Sequence, residues 1–428
     1  MDTASILAGA ALSLSGRFAV QGEQARRGLS LWAEHVNERG GVAVRPGEPR
    51  LPVSFRVYDD ASTRAGATDA TERLIARDGV DLLFSPYGSV LTLVAAEVAN
   101  CHGRLLWNHG GSSDALEERG YRHVVTLLSP ASRYFVPVLD MAVHHASLAG
   151  RPLRSVALLH GATGTFPQAV IGGARAHARR LELKIVLDEP YPEKAPTPQP
   201  PPPGAGEGEQ EPRLAGGLPL SIAMGRDVGA ADVRAAQRAG GGGLPLLVAH
   251  LATLQPDLVL GVGTTEADLA FAAELRRQPL QPVLTALVAA PIERFREVLR
   301  ADADGFCGPS QWEPTLQGQP DLGPTSSQFS ADFRARFGVD PDYPAAQAYA
   351  AGLIAARCAE MAGSLEDDAL RRAAVGLDLT TFYGRFRLDS DSMQQVGHAM
   401  VVAQWQAGRK QIVWPAGLAT ASLRVESR

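Results

Sequence analysis

The sequence predicts an α/β protein of two lobes, each a doubly wound parallel sheet. Three observations lead there. Short apolar strands alternate with helix-patterned runs of roughly ten to fifteen residues. The alternation stops at Ser129-Pro130 and then begins again. A chain of 428 residues, 45% of them hydrophobic, is long enough to bury two cores.

The first unit is a strand over 5–14 and a loop over 16–22. Ala25, Leu29, Trp32, Ala33 and Val36 then fall at helical spacing, and Gly40-Gly41 ends the helix. The second unit repeats the form: 52–58 alternates as a strand, Ser62 or Thr63 can cap a helix, and Ala67, Ala70, Leu74 and Ile75 make its buried stripe up to Gly79. The third and fourth strands, Leu82-Leu83-Phe84 and Leu105-Leu106-Trp107, each end in a small, hydroxyl-rich loop. These loops are Ser85-Pro86-Tyr87-Gly88-Ser89 and Asn108-His109-Gly110-Gly111-Ser112-Ser113-Asp114, and each opens into a helix whose first N–H groups are free. Two such loops on neighbouring parallel strands make a carboxylate site. A fifth strand covers 123–128.

After the break come a helix over 131–148, a strand over 155–160, a helix over 166–181, strands over 184–187 and 257–262, a helix over 266–277 and a strand over 282–287. Between them, 190–243 contains Pro200-Pro201-Pro202-Pro203 and Gly240-Gly241-Gly242-Gly243, a composition that cannot bury a core, so it reads as a mobile surface insertion. An extended piece over 305–312 follows. Helices over 326–337 and 345–361 have no strand partners of their own and are expected to pack on the first sheet. Residues 384–388, 398–405 and 411–414 alternate as an antiparallel tail.

Forty-six acidic residues against 41 basic ones give a net charge of -5, with no basic footprint for nucleic acid or an anionic membrane. Cys101, Cys307 and Cys358 form no C-x-x-C pair, which argues against a zinc site or a disulfide framework and assigns them to the core. No stretch approaches the roughly 20 unbroken apolar residues of a membrane span. Met1-Asp2-Thr3-Ala4 leads straight into the first strand, which fits either a cytoplasmic protein or a mature chain whose export signal was removed.

Gly261-Val262-Gly263 follows a strand, but Glu266 stands where a dinucleotide loop needs its third glycine. Neither Gly88-Ser89 nor Gly110-Gly111-Ser112 fits a nucleophile elbow. The sequence brings no paired carboxylates or metal-ligand cluster together, so no catalysis, metal or cofactor is expected. His109 either reaches a cleft or is a structural loop histidine. The chemistry in view is recognition.

Ala10-Ala11-Leu12-Ser13-Leu14-Ser15-Gly16, the helix with Gly28 and Asn37 ending at Gly40-Gly41, Tyr58-Asp59-Asp60, the loop ending at Ser89, Gly120-Tyr121 and Gln347-Ala348-Tyr349-Ala350-Ala351 occur in the order seen in type I periplasmic binding proteins. The chain resembles the extracytoplasmic solute receptor of a branched-chain amino acid type ABC importer, leucine/isoleucine/valine-binding-like, over nearly everything except 190–243. The resemblance implies two Rossmann-like lobes joined by three crossovers, near 127–131, 310–314 and 383–388, that close on a ligand by hinge bending. Lobe 1 would hold 1–128 and 313–383, and lobe 2 would hold 129–312 and 384–428. It further implies a small carboxylate ligand, a membrane permease as partner, a periplasmic or extracellular membrane-associated location and a monomeric state. A ligand-sensing domain of the same fold is the alternative.

Carried over by position, Ser89 with Gly88 and Tyr87, and Gly111 with Ser112, would hold the ligand carboxylate. Gln21 falls where the family has a first-loop aromatic, and Phe166, or Thr165 in a register shifted by one, matches an aromatic after the first strand of lobe 2. Thr264 is a further expected ligand contact, Trp312 matches a hinge aromatic, and Tyr134 and His109 can face the cleft. Amino-acid receptors of the family place an acid just past the strand equivalent to 282–287, to meet the ligand ammonium. Here the chain reads Ala286-Leu287-Val288-Ala289-Ala290. A buried ammonium without an acid would cost several kcal/mol. Either Glu266, Asp268 or Glu313 replaces it, or the ligand carries no amino group, the first expectation being a carboxylate with an apolar or aromatic body.

Overall fold

The computed structural model describes residues 5–192, 243–278 and 282–425. Its first sheet contains β1 (Ile6–Leu12), β2 (Val53–Asp59), β3 (Leu82–Phe84), β4 (Leu106–Asn108) and β5 (Val124–Thr126), in the order β2-β1-β3-β4-β5 and parallel throughout. The second holds β6 (Ser155–His160), β7 (Lys184–Pro190), β8 (Leu258–Val262), β9 (Leu284–Leu287) and β10 (Cys307–Ser310), joined by β13 (Val401–Gln406) and β14 (Arg409–Trp414). Its order is β14-β13-β10-β9-β8-β6-β7, and β13 and β14 run antiparallel at one edge. Strands buried on both faces favour unbroken apolar runs, and β3, β8 and β9 are buried at every residue.

Each sheet is covered on both faces. The helices Ala19–Glu38, Ser326–Phe337 and Tyr343–Ala362 share one core with β1 and β3, through Leu29, Trp32, Phe84, Phe329 and Tyr349. The opposite face of that sheet packs on Leu74, Leu93 and Ala96, from the segments over 64–77 and 89–101. Two further cores flank the second sheet. The expected packing of the two late helices on the first sheet is therefore what the fold contains. Thr63, rather than Ser62, caps the helix Arg64–Glu72 by accepting from the Gly66 N–H at 3.0 Å.

Several expectations change. Helices Gly243–Leu254, Glu293–Leu299 and Asp367–Val375 were not legible as separate elements, and the first of them starts on the last residue assigned to the insertion. Residues 193–242, which make up most of that insertion, lie outside the described residues. Cys307 and Cys358 are buried as expected, but Cys101 is exposed, because it ends its helix on the solvent side. The segment over 384–388 does not join the tail: β12 (Gly384–Arg387) pairs with β11 (Asp378–Thr381), and Phe386, Leu388 and Met393 lie in the first lobe's core. The chain returns to the second sheet between β12 and β13, which begins at Val401.

A buried polar network ties the three passages together. The Gln311 side chain accepts from the Ser129 N–H at 3.1 Å and donates to the Ser129 carbonyl at 3.2 Å. Ser129 Oγ lies 2.7 Å from His398 Nδ1, and Nε2 of that ring faces the carbonyls of Gln311 and Tyr383, each at 3.1 Å. Two carbonyls on one side and a hydroxyl on the other select the neutral Nε2–H tautomer. Burial pushes His398 down to about 4, so it stays neutral.

Candidate functional site

The candidate site grows from the carboxyl ends of β1, β3 and β4, beside the crossover in strand order where ligands of doubly wound sheets bind. Asn108, the last residue of β4, organises the fourth-strand loop. Its Oδ1 accepts from the N–H groups of Gly110 and Gly111 at 3.1 and 2.9 Å and from Ser85 Oγ at 3.2 Å. Its Nδ2 donates to the Gly111 carbonyl at 2.7 Å and to Thr126 Oγ1 at 3.1 Å. The glycine N–H groups are thereby spent inside the protein, so Gly111 shapes the loop and its amide does not face outward.

The two loops touch. The Gly88 N–H donates to the Gly110 carbonyl at 2.8 Å, and a Cβ on Gly110 would stand 2.0 Å from the Pro86 carbonyl oxygen, a distance no side chain tolerates. Gly88, at φ +90°, turns the chain into the helix Ser89–Cys101. Ser89 is its first residue, 9% exposed, and its hydroxyl has no hydrogen-bond partner among the described residues. The amides of that first turn lack intrahelical acceptors and add partial positive charge.

Ser112 is the point where the lobes meet. Its carbonyl accepts from the Ala131 N–H at 2.6 Å, and its Oγ lies 3.2 Å from the Tyr134 hydroxyl. Tyr134 also accepts from Gln311 Nε2 at 3.1 Å and stands edge-on to Phe166, with ring centroids 5.1 Å apart. Burial holds the Tyr134 hydroxyl protonated. The helix Ser89–Cys101 of the first lobe comes within 8 Å, Cα to Cα, of the helix Thr165–Arg180 of the second.

The structure therefore brings Ser112, Tyr134 and Phe166 into direct contact and sets Gly88, Ser89 and Gly111 on the adjoining loops. Phe166 supplies the aromatic, and Thr165 is exposed. Tyr87 is held by a hydroxyl–hydroxyl contact with Tyr343 and packs edge-on to Phe18 at 5.5 Å. This chain's first loop carries its own aromatic, Phe18, at the end of the turn Gly16–Phe18. Gln21 lies within the helix Ala19–Glu38, half-buried, with Oε1 lacking a partner among the described residues.

Two expected members, His109 and Trp312, are buried in cores, and the hydroxyl of a third, Thr264, serves as a helix cap. His109 is 0% exposed, tilted against Phe84 at 6.4 Å, and neither ring nitrogen has a partner among the described residues. Burial pushes it down to about 4, so it is a neutral core residue. Trp312 is 2% exposed, donates its Nε1–H to Ser326 Oγ at 3.2 Å and packs on Phe329 and Phe382 in the first lobe's core. Thr264 is exposed and spends its hydroxyl as the cap of the helix Thr265–Arg277, accepting from the Ala267 N–H at 3.2 Å.

The three acids named for an ammonium are also placed. Glu266 is exposed on the first turn of that helix. Asp268 is 0% exposed, raised by burial to about 7, and accepts from the Ala289 N–H at 3.0 Å, so it braces the loop after β9 from inside. Glu313 is buried and paired with Lys410. Phe18, Asn108, Gln311, Tyr343 and Lys410 were not foreseen as contributors. Gln311 and Tyr343 had a local signal, one lying in the predicted second crossover and the other between the cap Asp342 and Pro344. Lys410 had none.

A sequence profile of the family described as periplasmic binding protein matches residues 5–201 and 225–410. Leu/Ile/Val-binding protein homolog 8 of Brucella abortus (strain 2308) is 26% identical over 191 residues, 44% of this chain and 46% of that protein, so the match spans about half of that relative. Among solved structures, the branched-chain amino acid transporter substrate-binding protein LivJ from Streptococcus pneumoniae, in complex with isoleucine, aligns with a TM-score of 0.67 at 15% identity, covering 99% of this chain and 100% of its own. A solute-binding protein of an ABC transporter from R. palustris, in complex with benzoate, aligns with a TM-score of 0.66 at 16% identity, covering 98% of each chain. At such identities the structural likeness is one of fold. Among the described residues, no helix is long and apolar enough to cross a membrane, and no group of three or more His, Cys, Asp or Glu is placed to hold a metal ion.

Proposed function

The chain belongs to the periplasmic binding protein family, and from that premise we propose that it is the extracytoplasmic solute-binding receptor of an ABC importer, holding a small carboxylate between two lobes that close by hinge bending. The observation that carries the reading is the pair of serines on adjoining strand-end loops. Ser89 offers a free hydroxyl at a helix N-terminus, and Ser112 touches Tyr134 of the opposite lobe. A carboxylate accepting from both would be met by hydrogen bonds and by the dipole of the helix Ser89–Cys101. The ligands captured in the two solved relatives, isoleucine and benzoate, are both carboxylates and support this class.

In this reading lobe 1 holds residues up to 128 and 313–393, and lobe 2 holds 129–312 and the segment from 401 onward, with Ser129, Gln311 and His398 as the hinge. The protein acts as a monomer, releases its ligand unchanged to a membrane permease, and uses no metal or cofactor. Phe18, Tyr87, Tyr134 and Phe166 form the apolar wall for the ligand body, with Gln21 as a polar contact.

Thermal unfolding of the purified protein against a panel of amino acids, aliphatic acids and aromatic acids tests the reading. A ligand at about 100 times its dissociation constant adds about 2.7 kcal/mol of stability. Stabilisation by no carboxylate in the panel refutes it. For the identified ligand, Ser89→Ala and Ser112→Ala should each weaken binding by about 1–3 kcal/mol, and unchanged affinity of both variants in calorimetry removes them from the site.

A further inference from the structure

The loop after β9, where an acid would meet a ligand ammonium, reads Val288-Ala289-Ala290-Pro291-Ile292. A cation of the protein itself arrives there. Lys410, on β14, donates from Nζ to the Pro291 carbonyl at 2.8 Å, and the same ammonium lies 3.0 Å from Glu313 Oε2 and 3.3 Å from Glu293 Oε1. The Lys410 side chain is 15% exposed and that of Glu313 is 4% exposed, whereas Glu293 is open to solvent.

This cluster spans the two lobes. Lys410 and Glu293 belong to the second sheet and its helices. Glu313 lies two residues beyond Gln311, whose side chain holds the Tyr134 hydroxyl. Asp342, which caps the helix Tyr343–Ala362, feels both Lys410 and Glu293, and the next residue, Tyr343, contacts the Tyr87 hydroxyl. Two carboxylates, the buried Glu313 and the exposed Glu293, thus hold one ammonium, and Asp342, beside Tyr343, lies within its field. Burial raises Glu313 and Asp342, and Lys410 pulls both back down. For Lys410 the order is reversed: burial works against its charge, and the carboxylates more than restore it.

Glu313, the buried acid nearest this loop, is already paired with Lys410, so an external ammonium seeking it would have to displace Lys410 and leave that cation only the solvent-exposed Glu293, or stand beside Lys410 as a like charge in a poorly solvated place. We propose that Lys410 is a built-in counter-ion filling the ammonium pole of the cleft, so that the receptor selects carboxylates without an α-amino group over the matching amino acids. This rests on the carboxylate-receptor reading and specifies its ligand class.

The test pairs 3-phenylpropanoate with L-phenylalanine and 4-methylpentanoate with L-leucine, measured by calorimetry on the wild type, Lys410→Met and Lys410→Arg. Wild type and Lys410→Arg should bind the amine-free member of at least one pair tighter by about tenfold or more, and Lys410→Met should shift that ratio toward the amino acid by about tenfold. Should Lys410→Met not melt cooperatively, Lys410→Gln is read in its place. Tighter binding of the amino acids by the wild type overturns the inference while leaving the carboxylate receptor standing, as does a ratio unmoved in a folded neutral variant. Binding of none of the four compounds by any variant overturns the inference, while the carboxylate reading beneath it falls only if the wider thermal panel also shows no stabilising carboxylate.

Discussion

Replacing His109 by leucine should leave the protein as stable as the wild type near neutral pH, or more so, and should remove part of its acid sensitivity. The imidazole is 0% exposed and neither nitrogen has a partner, so a side chain of similar size without polar atoms removes two unsatisfied groups from the core. The pH dependence follows from linkage. Burial holds the folded-state value at about 4, against about 6.5 unfolded. Between these values the unfolded chain binds the proton and the folded chain does not, so wild-type stability is full above about pH 6.5 and is lost as the pH falls toward 4. From about pH 7 to about pH 5 this one group should withdraw roughly 2 kcal/mol. His398 is likewise depressed to about 4, but it is present in both proteins and cancels in the difference. Urea unfolding of wild type and His109→Leu at the two pH values, with ligand affinity measured alongside, reads the effect. A variant less stable by more than about 2 kcal/mol near neutral pH refutes the assignment of His109 as an unpartnered core residue. So does a stability difference that does not move with pH.

Asn108→Leu keeps the volume but orphans the Gly110 and Gly111 amides, the Gly111 carbonyl and the Thr126 hydroxyl, so unfolding should show a loss of about 3 kcal/mol or more together with loss of ligand-induced stabilisation. Gly110→Ala drives a methyl against the Pro86 carbonyl oxygen, 2.0 Å away, and should cost about 1–3 kcal/mol in thermal unfolding. Gln311→Ala removes side-chain bonds to Ser129 and Tyr134, and calorimetry should show weaker ligand binding through faster release, because the group that joins two hinge passages to the cleft is gone. Trp312→Phe should destabilise the first lobe, through the lost bond to Ser326 and a shrunken core, without changing which ligands stabilise the protein in the thermal panel.

Much of the fold was legible because it is written locally. The strands over 82–84 and 155–160 and the helix over 326–337 begin and end where apolar runs, caps and stops place them, since period and capping depend only on neighbours in sequence. The same holds for the two hydroxyl-rich loops, which follow the parallel strands β3 and β4 as their local pattern places them. Helix Gly243–Leu254 escaped notice because its run follows a glycine tract and stays apolar even at most positions open to solvent, so no charged face marks its period. The strand over 384–388 was read into the antiparallel tail and not against β11 because alternation reveals a strand but not its partner.

By itself the sequence determined two parallel α/β lobes, the strand-end loops with Ser89 and Ser112, and the missing acid after β9. Tertiary structure alone decided which side chains face the cleft. His109 and Trp312 look like Tyr134 in one dimension, yet packing buries the first two in cores and stands the third between the lobes. It also decided where Lys410 lies. Lys410 meets Glu293 and Glu313 across 117 and 97 positions of chain, and attraction over such separations depends on through-space distance and burial, which no local pattern records.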